Sequence, residues 1–344
     1  MPDQGNSPEQ SGDAHPFLTA KGLRLQQLGR KDEFSMPMAM PSYPSEASPY
    51  SGGAYPSAPI DPFDFAADRD RTIHNVRPSV AFPRVESLLE QPLNPYFQTR
   101  LVARPQSNQL RAIGKLFIQI SPDTRLPLAM GSAWITGPST IATAAHNLYD
   151  STTRTWSRAL EFHAGYDYYD SNDRPTCRVT GAYIPRSYLN NPATNLDIAI
   201  CYVDRNIGDI IGTQIRTEVV TDPDFFDNER VAIVGYPAGS GFDFGKQLWQ
   251  SEGDYLFGQG NGPDSDFAPV MATNFGGGAS GCPWLVEDKA AGPGKYVAVG
   301  VTSGHAKLRY ARGELNLNSL VSPYFGPRMF AELEDNQVFH DFTV

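Results

Sequence analysis

From about residue 108 onward the chain is a succession of short β-type runs, and this pattern limits the fold more than any other feature of the sequence. The clearest runs are AIGKLFIQI (112–120), SAWIT (132–136), TIATAA (140–145), LDIAICYV (196–203), RVAIVGY (230–236) and KYVAVGVTS (295–303). They are rich in Ile, Val, Ala and aromatics, and Gly, Pro, Asn and Asp separate them, as in ITGPST and GYPAGSG. Runs this short cannot supply long amphipathic helices, whereas many short strands with turn signals predict a β-sandwich or a pair of barrels. The 31 glycines and 29 prolines among 344 residues, and a charged content of only 19%, point the same way. One helix is expected near the C-terminus, at about 328–336.

The composition changes near residue 105. Residues 1–30 are polar apart from a helix-like stretch, GLRLQQLGR (22–30). From Phe34 to Phe65 the chain is Pro, Ser, Gly and Tyr with almost no charge, and such a segment buries too little apolar area to offset its ordering entropy. It is expected to be extended or disordered. Residues 69–104 carry scattered apolar groups (Val76, Val80, Phe82, Val85, Leu88, Leu89) suited to lying against the following domain. The expected organisation is a low-complexity, partly disordered N-terminal arm or propeptide over 1–105 and one all-β domain over 106–344.

A formal net charge of -10 argues against a nucleic-acid partner and against docking on an anionic membrane. No stretch of 18 apolar residues occurs, so no spanning helix is expected. The opening, MPDQGNSPEQSGDAHPF, lacks a basic stretch followed by an apolar run, so no secretory leader is expected. Three cysteines (Cys177, Cys201, Cys282) cannot all pair within one chain. A reducing, cytoplasmic compartment is the resulting expectation.

Three segments carry chemistry. Thr143-Ala144-Ala145-His146 closes the run TIATAA with small residues behind the ring; alone, such a histidine is more often structural. Asp197 opens the buried-type run LDIAICYV, where a carboxylate is costly unless it meets donors; an imidazolium or the backbone of a turn would serve. Gly276-Gly277-Gly278-Ala279-Ser280-Gly281-Cys282-Pro283 places glycines around a serine, so that the N–H groups of Gly278 and Ser280 can turn toward one oxyanion; a flexible glycine loop is the plainer alternative. In combination they supply a nucleophile, a base to take its proton and a carboxylate to orient that base.

These residues resemble the trypsin-like serine peptidases, and within them the bacterial glutamyl endopeptidases. The resemblance runs from about Arg111 to Arg328 through RAIGKLF, GSAWITGPSTIATAAHNLYD, NLDIAI, VGYPAG, QLWQSEG, NFGGGASGCPW and AVGVTSG. It implies two six-stranded antiparallel β-barrels with the active site between them, a short C-terminal helix, and hydrolysis of protein or peptide substrates through an acyl-enzyme with no cofactor or metal. By resemblance His146 is the general base, Asp197 its orienter and Ser280 the nucleophile, with Gly278 and Ser280 as the oxyanion hole. The substrate pocket would be walled by Asn274 and Phe275 on one side and by Val301, Thr302, Ser303, Gly304 and His305 on the other.

The sequence departs from that pattern in places. Asn147 follows the histidine where many relatives have a cysteine. Ala279 precedes the serine, so the aspartate that trypsin-like zymogens use for activation is missing. Val301 or Thr302 stands where glutamyl endopeptidases carry a pocket histidine, leaving side-chain preference undetermined. Cys282 is expected to be a packed thiol, and the tyrosine-rich stretch Gly165–Asp170 an exposed loop near the cleft. If residues 1–105 are removed, Arg71 and Arg100 are the candidate cut points. The competing expectation is a protease fold kept as a non-enzymatic binding module.

Overall fold

The computed structural model describes residues 23–25, 38–39 and 97–343, apart from breaks at 104, 106–108, 121–128, 171–173, 191, 193, 223, 260–267 and 311–315. Among the described residues three strands precede the predicted domain: β1 (Leu23–Leu25), β2 (Met38–Ala39) and β3 (Phe97–Leu101). The first barrel follows with β4 (Ile113–Gln119), β5 (Ala129–Gly137) and β6 (Thr140–Thr143). A small hairpin, β7 (Tyr149–Asp150) and β8 (Thr155–Trp156), leads to β9 (Ala159–Ala164), β10 (Thr176–Pro185) and β11 (Ala199–Val203). Pairing runs β11-β6-β5-β4-β9-β10, and β10 pairs back onto β11, closing a barrel of six antiparallel strands.

The second barrel contains β12 (Ala232–Gly235), β13 (Trp249–Gly253), β14 (Tyr255–Gln259), β15 (Ala268–Ala272), β16 (Pro283–Glu287), β17 (Tyr296–Val301), β18 (Gly304–Tyr310) and β19 (Asn316–Val321). β13 runs into β14 after a bend at Asp254, and β17 into β18 after one at Thr302–Ser303. Counting each bent pair as one strand, pairing passes from β12 through β13/β14, β15, β19, β18/β17 and β16 back to β12, which is the second six-stranded circuit. A helix, Pro327–Asp335, starts at a proline, whose missing N–H is harmless at that position. β20 (Gln337–Asp341) then adds to β10 of the first barrel.

The strands form where they do because their apolar sets meet. β4 and β15 are buried along nearly their whole length, while β10 alternates over Thr176–Val179 with Cys177 and Val179 inward. Ile113, Trp134 and Phe162 fill the first barrel, and Phe275, Trp284 and Val299 the second. Burying side chains of this kind contributes roughly 1.5–3 kcal/mol each. Met329 and Leu333 of the helix join the first cluster, which pins the C-terminus to that barrel.

Two expectations about the N-terminal third change. Within the helix-like stretch 22–30, Leu23–Leu25 is a strand, antiparallel to β18. Its Leu-Arg-Leu alternation suits a strand equally well, and an open sheet edge supplies hydrogen-bond partners that a one-turn helix lacks. The sheet also begins at Phe97, upstream of residue 106, because β3 pairs with β13 from Phe97↔Gly253 to Leu101↔Trp249. Arg100 therefore lies within a paired edge strand and binds Glu252 Oε1 at 2.9 Å. Arg71 and the low-complexity stretch 34–65, Met38 and Ala39 excepted, lie outside the described residues.

Candidate active site

β6 delivers the chain to a single 3₁₀ turn, Ala145–Asn147, with Ala144 and Ala145 fully buried behind it. Small residues allow that turn to sit against the barrel wall, and it presents the ring of His146, itself only 2% exposed. Another 3₁₀ turn, Thr194–Leu196, places Asp197 just before β11, which is the strand paired to β6. Strand pairing thus fixes the two side chains side by side. Asp197 Oδ1 accepts the backbone N–H of His146 at 2.9 Å, and Oδ2 meets His146 Nδ1 at 2.6 Å. Ser303 Oγ donates a third hydrogen bond to Oδ2 at 2.6 Å. Three donors answer the cost of burying the carboxylate. They also assign the imidazole proton to Nδ1 and leave Nε2 as the acceptor. Nε2 is buried and has no hydrogen-bond partner among the described residues.

Ser280 sits in a loop shaped by two glycines that have left-handed φ: Gly278 (+81°) and Gly281 (+82°). A Cβ on Gly278 would lie 2.7 Å from Ala238 N and Tyr236 O, and one on Gly281 would lie 2.1 Å from Ser132 O. Both positions therefore require glycine for conformation and for space. The loop is tied at both ends, by Ala238 N–H to Gly277 O at 2.6 Å and by Gly281 N–H to Thr302 O at 2.8 Å. Among the described residues the N–H groups of Gly278 and Ser280 donate no backbone hydrogen bond.

The two barrels are joined at this loop by residues that the sequence motifs did not single out. Ser132 of β5 donates its backbone N–H to Ser280 O at 2.7 Å and its hydroxyl to Gly278 O at 3.2 Å, while that hydroxyl accepts Tyr236 N–H at 3.0 Å. Asn147 donates to Thr143 Oγ1 at 2.9 Å and to Ser280 O at 3.2 Å. The histidine's neighbour thus holds the serine's carbonyl, and His146 and Ser280 come to the same junction. Ser280 Oγ and His146 Nε2 are not hydrogen-bonded to each other.

The expected pocket residues divide. Asn274 is exposed, and its Oδ1 accepts Thr99 Oγ1 at 2.6 Å, which links its loop to β3. Phe275 is buried against Phe242, with ring centroids 5.3 Å apart. Val301 is fully buried, and Thr302 Oγ1 turns inward to accept Trp284 Nε1 at 3.0 Å. Ser303 is committed to Asp197, and Gly304 beside it is half-buried. The side chain of His305 lies outside the described residues. Cys282 packs against Ser132 Oγ at 3.4 Å, and burial pushes its thiol up to about 12, so it stays protonated and inert at neutral pH. Cys177 and Cys201 are likewise free and buried. The tyrosine-rich loop is less open than expected. Tyr166 is buried and its carbonyl accepts Tyr236 Oη at 3.0 Å, while Tyr168 N–H bonds Lys246 O at 2.9 Å.

No protein-family model matches the chain, and no curated protein does. Solved structures do. The thermostable serine protease AL20 from an extremophilic microorganism is 22% identical, with a TM-score of 0.52 over 67% of this chain and 97% of its own. A Glu endopeptidase is 19% identical, also at 0.52, over 68% of this chain and 94% of its own. The protease Anisep from Arthrobacter nicotinovorans is 18% identical at 0.52, over 68% and 97%. The chain has the chymotrypsin-like double-barrel fold of these serine proteases.

Proposed function

We propose that this chain is a serine endopeptidase acting on protein or peptide substrates, with His146, Asp197 and Ser280 as its catalytic groups and with its N-terminal region restraining it. The observation that carries this reading is the buried hydrogen-bond set on Asp197. It commits Nδ1 of His146 and leaves Nε2 unspent at the junction where Ser280 is held between two obligatory glycines. In the reaction, Ser280 Oγ gives its proton to Nε2 and attacks the substrate carbonyl. The developing oxyanion takes the N–H groups of Gly278 and Ser280. Nε2 returns the proton to the leaving amine, the acyl-enzyme forms, and a water activated by the same nitrogen releases the acid. Asp197 holds the ring in place and stabilises its cation without being protonated itself.

The missing bond between Ser280 Oγ and Nε2 is also what a silent, protease-shaped binding module would display. Turnover separates the two readings. Cleavage of a mixed peptide library followed by mass spectrometry is expected to show new termini with the parent chain. Ser280→Ala is expected to lower the rate by about 10⁴-fold or more while leaving peptide binding in place. A library left intact under all conditions, with binding retained, would establish the module instead.

A further inference from the structure

We infer that Asn147 is a positioning residue of the hydrolytic centre, a neutral donor that ties the turn carrying His146 to the carbonyl of Ser280. This rests on the catalytic reading above. Asn147 follows His146 in the same 3₁₀ turn and is fully buried. Its backbone is held on both sides, by its own N–H to Ala144 O at 3.2 Å and by Ser157 Oγ to its carbonyl at 3.1 Å. Its side chain lies between two glycines. A Cβ on Gly131 of β5 would stand 2.7 Å from Asn147 Nδ2, and one on Gly281 would stand 3.0 Å from it. The strand of one barrel and the serine loop of the other both leave room for this amide.

Which end of the amide meets the serine loop follows from its partners. Thr143 Oγ1 gives its single proton to Ser132 O at 2.7 Å, so toward Asn147 it can only accept. Ser280 O is a carbonyl and accepts as well. The atom 2.9 Å from the first and 3.2 Å from the second is therefore the nitrogen, with two protons for two acceptors. Asn147 Oδ1 is left buried, with no hydrogen-bond partner among the described residues. Such an orphan needs a reason, because a small apolar side chain would avoid its cost. The carbonyl of Ser280 supplies the reason. It also accepts the N–H of Ser132 at 2.7 Å, so two donors fix its direction. Ser132 fastens the serine loop to β5, and Asn147 fastens it to the histidine one peptide away. The turn that Ser280 Oγ must make to reach Nε2 is set through this link. A misplacement of about 1 Å between reacting groups costs on the order of a hundredfold in rate.

The test compares Asn147→Ala and Asn147→Asp with the unaltered full-length chain. Alanine leaves Thr143 Oγ1 and Ser280 O each still bonded to Ser132, so the fold is expected to stand. Fluorophosphonate labelling of Ser280 and kcat on an extended peptide are expected to fall about tenfold or more, with KM unchanged. Aspartate has nearly the same shape but faces two acceptors, so its carboxyl serves only while protonated, and that setting raises it above the ordinary carboxylate range. The donor is present below the raised value and lost above it. The rate of Asn147→Asp divided by that of the parent is therefore expected to fall from pH 5 to pH 9, whereas the same ratio for Asn147→Ala stays level. Equal rates for the alanine variant and the parent, a loss that appears only as a higher KM, or a pH-independent ratio for the aspartate variant would each overturn the inference and leave the catalytic reading standing. Should Asn147→Asp fail to fold, the alanine variant decides alone. Absence of labelling and of turnover in the parent would remove the catalytic reading, and this inference with it.

Discussion

Replacing Ser132 with alanine strips the Tyr236 N–H of its acceptor and the Gly278 carbonyl of its donor, both between the barrels. A buried polar group left without a partner costs about 1–3 kcal/mol, and a domain of this size loses roughly 2–4 °C of melting temperature per kcal/mol. Thermal unfolding of Ser132→Ala is therefore expected about 5 °C or more below the parent, and the same variant is expected to turn over substrate more slowly because the serine loop loses its anchor. An unchanged melting temperature would show that water replaces the hydroxyl without loss. Ser132 and Asn147 were not legible as site residues, although both stand inside the motif GSAWITGPSTIATAAHN. Small polar residues in strands and turns carry no chemical signature until the fold shows which carbonyl they reach. His146, Asp197 and Ser280 were singled out in the sequence as residue types that can serve as base, orienter and nucleophile, and the first two meet in the structure through a 2.6 Å contact. Ser303 was read as a wall of the pocket, whereas its hydroxyl serves the carboxylate of Asp197.

Among the elements, β20 shows how a late strand is held and how pH acts on it. The ring of His340 stacks on Trp156 at 4.1 Å and meets the edge of Phe342 at 4.6 Å. Burial lowers His340 below its usual value, and the nearby Asp341 carboxylate opposes this only in part. The unfolded chain thus takes up this proton at a higher pH than the folded one. Stability is complete above the ordinary histidine value of roughly 6.5 and is lost as pH falls below it toward the lower folded value. His340→Phe keeps an aromatic ring at the stack and removes the titration. Melting temperatures of parent and variant measured from pH 8 to pH 5 are expected to diverge in the variant's favour on the acid side, and parallel curves would contradict the assignment. β4, β5, β6, β11, β12 and β17 were legible as apolar runs bounded by turn residues, whereas more polar strands such as β10, and β15 with its proline, were not picked out. β1 was not, since three residues of alternating Leu and Arg fit a helix face or a strand, and only the edge of β18 decides between them.

At the scale of the whole molecule, the rhythm of short runs and turns left a sandwich or a pair of barrels open, and the family resemblance chose the double barrel; the domain's upstream limit was not legible by either route. FQTRL (97–101) has three polar residues in five and follows the turn-type stretch QPLNP, so it carries no apolar run, yet it extends the sheet of β13 and reaches Asn274 through Thr99. A chain shortened to begin at residue 102 is expected to lose about 2–4 kcal/mol against one beginning at 96, or roughly 5–10 °C by thermal unfolding. Equal stability would make β3 an ornament of the domain. The central claim, that distant residues of two barrels act as one hydrolytic centre, is tested most directly by intact-mass and peptide-map analysis after exposure to a fluorophosphonate. The expected result is a single adduct on Ser280, absent in Ser280→Ala and formed at least a hundredfold more slowly in His146→Ala. An adduct on another residue, or labelling of Ser280 at the same rate without the His146 imidazole, would contradict it.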